Sequence, residues 1–309
     1  MINNIVAVQG DDLQKINLKS DTSIFLAYEA QNKNYKIFYY QPKDLSVINN
    51  KVFAYGNFVK FNYIKKKFFK IIKKKKLELT KSKFILIRQD PPFNLEYIST
   101  TYILDSIKTK VKIVNNPSSI RNISEKLYSV YFSKFMPDTI FSQDIDYIKK
   151  FFLKNKKIIM KPIHGYGGNE IHLIEKKFNK TLVEKFIKKH GHVMFQKFLA
   201  NIKNGDKRVF LINGKICGAI SRVPKKGSFL SNMSKGAVPT LTKLTKKEIK
   251  ISKLIADKLK KNDIYFAGID FIDQKLNGDI NVTSPTGLKT YYDLSKINLA
   301  KVFWKGLKA

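Results

Sequence analysis

Three short stretches of this chain place together side chains that could move a phosphoryl group. In KPIHGYGGNEIHLI, Lys161 closes a predicted strand, and Gly165, Gly167 and Gly168 follow it. Glycines let backbone N–H groups approach a phosphate closely, and a nearby lysine neutralises its charge. A Walker A loop or a dinucleotide fingerprint needs a helix after the glycines, whereas a second strand is predicted here; the bland alternative is a glycine hairpin. In AGIDFIDQKLNGDINVTSP, Asp270 falls on one strand, with Asp279 and Asn281 on the next. Residues two apart share a sheet face, and a hairpin turning near 275–277 would bring Asp270 beside the other two. Three oxygen donors with room left for phosphate oxygens suit Mg2+ bound together with a nucleotide. Simple turn decoration explains Asp273 and Asn277, but explains poorly a DIN triplet inside a strand. Finally, Arg208 in NGDKRVFLI and Arg222 in ISRVP lie on successive strands joined at Asn213–Gly214. Their guanidinium groups would stand close to opposite each other on one face, as a clamp for a phosphoryl group in transfer.

Elements of an α/β chain must carry these residues. Strands are predicted at 2–8, 35–40, 83–88 and 111–115, with helices at 20–33 and at 94–109 behind an Asn94 cap. That alternation implies a parallel sheet flanked by helices over about the first 115 residues. The lysine-rich insertion at 51–81 reads as an exposed helix with Phe68, Phe69, Ile71 and Ile72 on its apolar face, in preference to a membrane-surface or RNA-binding helix. NNPSSI at 115–120 is turn chemistry and marks a boundary, after which Ser124 would cap a helix over 124–135. Residues 143–198 read as helix, strand (157–162), glycine loop (164–169), strand, helix, strand (192–199). Residues 206–283 read as a hairpin (207–222), a polar loop, a helix (246–261) and a second hairpin (264–273, 276–283).

Composition removes several classes of function. Of 309 residues 43% are apolar, too many for a disordered chain. No uncharged run approaches the roughly 18 residues of a membrane span, and the first residues do not resemble a signal peptide. A single cysteine, Cys217, excludes an internal disulfide or a multi-cysteine metal site and fits a cytoplasmic protein. The net charge of +35 suggests a nucleic-acid or anionic-membrane partner, yet only four of the 59 basic residues are arginine: Arg88, Arg121, Arg208 and Arg222. A nucleic-acid reader retains arginine for its fork and its stacking plane, so the lysine excess is compositional drift on solvated surfaces. An arginine kept against that drift marks a place where lysine's point charge cannot substitute.

The order of motifs resembles the ATP-grasp superfamily, and within it bacterial glutathione synthetase. The blocks that carry the resemblance are RQDPPFNLEYISTTYILD (88–105), VNNPSSIRNISEKLYSVYF (114–132), MKPIHGYGG (160–168), NGDKRVFLINGK (204–215), SRVP (221–224), and GIDFI with DINVTSPTG (268–287). It implies a Rossmann-like N-terminal substrate-side domain over 1–117 and an ATP-grasp domain of two α+β lobes over 118–309, with an ATP-binding lobe at about 124–199 and a metal and phosphoryl lobe at about 200–309. It implies a cytoplasmic ligase that joins γ-glutamylcysteine to glycine with ATP and Mg2+ (Mn2+ as the alternative ion), through an acyl phosphate.

The resemblance also implies roles for single residues. Lys126 and Lys161 would contact ATP phosphates under Gly165, Gly167 and Gly168. Gln196, Phe198 and Leu199 would hold the adenine and Asp206 the ribose. Asp270, Asp279 and Asn281 would bind the metal, and Arg208 and Arg222 would stabilise the moving phosphoryl group. Arg88, Asp90, Asn232 and the Ser284-Pro285-Thr286 turn would form the substrate pocket. The partners implied are small molecules and further copies of the chain, in a tetramer, with neither nucleic acid nor membrane. There are departures from the family pattern. His164 and Thr290 stand at commonly acidic positions, Asp279 replaces a glutamate, and the 225–239 loop, resembling a lid, lacks its usual arginine and glycine pair. The alternatives are an ATP-grasp ligase with other substrates, or a basic protein that binds nucleic acid or membrane without catalysis.

Overall fold

The computed structural model describes residues 4–17, 20–63 and 68–308. Three sheets carry the fold. In the first, Ile5–Gln9 lies between Lys36–Tyr40 and Phe84–Ile87, with Lys112–Val114 beyond, and these four strands are parallel. Their residues are almost continuously buried, as expected of parallel strands covered on both faces. Helices Thr22–Asn32 and Leu95–Asp105 make the crossovers, capped by Asp21 and Asn94, whose side chains accept from Ile24 N and Tyr97 N.

The lysine-rich insertion is not a helix. Lys51–Phe61 and Phe69–Glu78 form a long antiparallel hairpin that extends the first sheet, so that sheet is mixed rather than wholly parallel. Lysine stems lie along the aromatic residues of the facing strand, Lys74 over Tyr55 at 4.8 Å and Lys76 over Phe53 at 4.6 Å. This cross-strand packing outweighs helix propensity. Ile71 and Ile72, assigned to an apolar helix face, are 50% and 57% exposed. Parts of the 2–8 strand and the 60–76 run lie outside the described residues.

NNPSSI is likewise a helix start and not a bare turn. Asn116 caps Pro117–Asn122, with proline in its first turn. The predicted 124–135 helix is a kinked 3₁₀ segment, Leu127–Phe135, and the Ser124 hydroxyl caps nothing. One i→i+4 bond, Tyr128 N to the Ser124 carbonyl at 2.8 Å, closes a turn across Glu125 and Lys126 before that segment.

The second sheet is antiparallel, in the order His172–Ile174, Ile158–Pro162, Val193–Lys197, Thr139–Ser142. The third, also antiparallel, runs Val238–Leu241, Lys215–Val223, Asp206–Ile212, Phe266–Ile272, Lys275–Asn281. Its second hairpin turns at Asp273 and Gln274, both with positive φ, and not at 275–277. Helix Lys246–Lys261 starts on a Thr245/Glu248 capping box and keeps the predicted bounds. The last helix, Leu299–Gly306, returns to the first sheet, where Trp304 donates from Nε1 to the Leu26 carbonyl. One hydrophobic cluster therefore runs from Val6 and Phe84 through Phe210 and Phe266 to Trp304.

Candidate active site

Strand register makes the charged centre. Asp206 pairs with Arg222 and Arg208 with Asp270, and residues 206 and 208 share a face, so all four side chains stand on one side of the third sheet. The two arginines are two places apart along the ladder, not opposite, and Cys217 is bulged out between the paired residues Ile216 and Gly218. Arg208 donates from Nε and Nη2 to Asp270 at 2.8 and 2.7 Å. Arg222 forks onto Asp206 and also reaches Asp270 at 3.1 Å. Asp206 is 1% and Asp270 4% exposed, so each carboxylate depends on its guanidinium partners. Burial alone would raise the Asp270 carboxyl, but the two arginines outweigh it and hold the group well below the usual range.

Opposite them stand the lysines. Lys161, 2% exposed on Ile158–Pro162, donates to Gln196 Oε1 at 3.2 Å and to the Asn277 carbonyl at 3.1 Å. Burial pushes its ammonium down and Asp279 partly restores it. Lys126 donates to the Gly165 carbonyl at 2.5 Å, and Asp279 lies between the two ammonium groups, 3.5 Å from Lys126 and 3.7 Å from Lys161. Asn281 donates from Nδ2 to the Gly268 carbonyl at 3.1 Å, which leaves its Oδ1 as the atom available to a cation. Two carboxylates and this amide oxygen all line one cleft and are oxygen donors of the type a hard divalent cation takes.

The glycine loop and the 225–239 loop meet in the wall of the same cleft. Gly167 and Gly168 have φ of +62° and +75°, where any side chain would be strained, and a Cβ on Gly168 would strike the Asn232 amide. Lys235 donates to Asn169 Oδ1 at 2.6 Å, and Ser231 donates to Asp206 Oδ2 at 2.6 Å. The 225–239 loop is thus tied to both the glycine loop and the arginine network.

Carboxyl ends of the parallel strands close the other side, where α/β sheets place their ligands. Arg88, 4% exposed just beyond Phe84–Ile87, donates to Ser23 Oγ at 3.1 Å and to the Pro285 carbonyl at 2.9 Å. Among the described residues no carboxylate comes within the 4.0 Å of an ion pair with it. Burial lowers its guanidinium pKa, against the more distant pull of Asp21 and Asp90. Asp90 donates its N–H to Asp11 Oδ2 at 2.9 Å, and the Ser284 hydroxyl donates to the Arg88 carbonyl at 3.2 Å.

All these parts line one cleft of about 740 Å³. It is bordered by every site residue named from the sequence except Pro285, which faces Arg88 through its carbonyl. Two placements bear on the expected roles. The Phe198 N–H donates to the Lys157 carbonyl at 3.0 Å and is not free for a base. Asp206, expected at the ribose, borders the cleft and accepts from Arg222 and Ser231. His164 stacks on Phe93 outside the main cleft. Sequence reasoning missed Asp11, Asp21, Glu125 and Asn277. The QGDD run after the first strand was the available signal for Asp11, while Glu125 and Asn277 are visible only through tertiary contacts.

Comparison with known proteins agrees over the whole chain. Family models for the prokaryotic glutathione synthetase N-terminal domain and ATP-grasp domain match residues 5–121 and 125–296. A glutathione synthetase of Rhodopseudomonas palustris is 35% identical over 307 residues, covering 98% of each chain. One from Buchnera aphidicola subsp. Baizongia pistaciae is 34% identical over 304 residues, covering 96% of this chain and 94% of its own. Among solved structures, the D-cycloserine synthetase DcsG superposes with a TM-score of 0.67 at 10% identity, covering 98% of both chains. The ATP-grasp ligase PsnB, complexed with a phosphomimetic variant of its minimal precursor, Mg and ADP, gives 0.66 at 12% identity over 100% of this chain and 99% of its own. The chain, an ATP-dependent ligase of ATP-grasp fold, belongs to the prokaryotic glutathione synthetase family.

Proposed function

We propose that this chain activates the cysteinyl carboxylate of γ-glutamylcysteine with ATP and joins it to glycine, releasing glutathione, ADP and phosphate. One observation carries the reading: Arg208 and Arg222 on Asp270, and Lys126 and Lys161 on Asp279, are two cationic pairs facing one cleft. The substrate carboxylate attacks the γ-phosphorus, the bond to ADP breaks, and an acyl phosphate forms. Glycine's amine, having lost its proton, then attacks the acyl carbon, and phosphate leaves from the tetrahedral intermediate. Lys126 and Lys161 gather the phosphates, while Arg208 and Arg222 meet the charge that grows on oxygen in both steps. Asp270, Asp279 and Asn281 would hold Mg2+ or Mn2+, which when bound neutralises phosphate charge as a Lewis acid.

Arg88 beside Asp11 and Asp90 suits an amino-acid head group, its carboxylate on the guanidinium and its ammonium among the acids. On this proposal residues 1–117 form the substrate-side domain, and 118–309 form the ATP-grasp domain. The enzyme works in the cytoplasm as a homo-oligomer, a tetramer, which light scattering would test. The decisive experiment mixes the purified chain with ATP, Mg2+, γ-glutamylcysteine and glycine, and looks for the tripeptide by mass. Phosphate release with a different acid or amine, and none with this pair, would replace the substrates while keeping the ligase.

A further inference from the structure

Glu125 sits beside Lys126 in the chain and makes no contact that the reaction above uses. Its carboxylate Oε1 accepts three hydrogen bonds from the segment that follows Asn281: Val282 N at 2.8 Å, Thr283 N at 3.1 Å and Thr283 Oγ1 at 2.8 Å. Its backbone carbonyl accepts from Ile280 N at 3.0 Å. The bonds fall on both sides of Asn281, so this one residue holds the strand bearing Asp279 and Asn281 against the turn bearing Lys126. That turn is the irregular stretch where an α-helix was expected. A single turn closed by Tyr128 N on the Ser124 carbonyl at 2.8 Å carries Glu125 and Lys126, and the 3₁₀ segment follows from Leu127. On its other side Lys126 donates to the Gly165 carbonyl in the glycine loop, and its own carbonyl accepts from Ser129 N at 3.1 Å.

We infer that Glu125 is a positioning residue, which sets the distance between the phosphate-binding ammonium of Lys126 and the metal-ligating strand. A misplacement of about 1 Å can cost on the order of 10²-fold in rate, so the place at which Glu125 holds this lysine bears on the reaction as well as on the fold. The inference rests on the nucleotide reading of the cleft, not on the identity of the acid or the amine.

The test measures binding of a non-hydrolysable ATP analogue with Mg2+ by calorimetry, with no acid or amine present. Glu125→Ala should weaken the analogue about 10-fold, and Glu125→Gln, which keeps an acceptor oxygen, should stay within about 3-fold of the parent. The double variant Glu125→Ala/Lys126→Met should bind no worse than Lys126→Met alone, because the clamp acts only through that lysine. Additive losses, or parental binding by Glu125→Ala, would overturn the inference. If the alanine variant does not fold, Glu125→Asp, which draws the acceptor back by one methylene, replaces it in the same cycle with the same expected outcome. A parent that binds no analogue sinks the nucleotide reading itself. A parent that binds the analogue but makes no tripeptide changes only the substrates.

Discussion

Arg222 and Arg88 are both buried in the walls of one cleft, yet their surroundings differ in kind. Arg222 forks onto Asp206 and touches Asp270, in a network where two arginines meet two aspartates and the charges cancel. Arg88 donates to a serine hydroxyl and a backbone carbonyl, lies 5.7 Å from the Phe266 ring, and among the described residues forms no ion pair. Desolvating a paired charge is largely offset by its partner, whereas an unpaired buried cation keeps most of that cost in the free protein. The neutralised region is built to hold its geometry while charge develops on a substrate. The Arg88 region stores an unmet interaction that an incoming carboxylate can satisfy.

The largest expected effects lie in the neutralised network. Arg208→Lys or Arg222→Lys should lower kcat by about 10²-fold or more, since a point charge cannot replace the fork. Near-parental turnover in both variants would break the clamp. Arg222→Met should also cost about 3–5 kcal/mol in urea unfolding, because Asp206 is then left buried without its partner. Arg88→Met should do the reverse: an unchanged or raised unfolding midpoint, with KM for the acid substrate raised about 10-fold or more and a smaller change in KM for ATP. A strongly destabilised Arg88→Met would erase the contrast between the two regions.

How much of this could be read from residues alone follows the range of the interactions. The glycine loop, the two hairpins of the third sheet and the Asp279–Asn281 pair were legible, because turn chemistry and period-two alternation are local. The scarcity of arginine was legible too, and three of the four line the cleft. The lysine hairpin was misread because lysine and isoleucine fit either element, and only the facing strand with Tyr55 and Phe53 decides between them. Asp206 could be named but not understood. That its partner is Arg222 depends on the register of a hairpin with a bulge at Cys217, and no spacing rule reports a bulge. Glu125 was invisible for the same reason, since its partners lie more than 150 residues away.

Arg121, the one arginine outside the cleft, sets the scale for the other three and gives the smallest effect. It pairs with Asp105 at 2.7 Å, donates to Thr101 Oγ1 at 3.3 Å and stacks on Tyr102 at 4.0 Å, tying helix Leu95–Asp105 to Pro117–Asn122. Arg121→Lys should cost only about 1 kcal/mol and leave kcat unchanged, because this pair is partly exposed and far less dependent on its fork. Its pH dependence has a definite sign. Burial would raise the Asp105 carboxyl, but Lys108, Ser118 and Arg121 together hold it at about 2, below its ordinary 3.8. A carboxylate with a depressed pKa stabilises the fold above the ordinary value and loses that contribution as pH falls toward the folded one. The difference in urea midpoint between the parent and Asp105→Asn should therefore be full above roughly pH 5 and shrink as pH falls toward 2. A difference that grew on acidification would mean that the pairing at Asp105 opposes the fold, and Arg121 could then no longer serve as the structural reference for the arginines of the cleft.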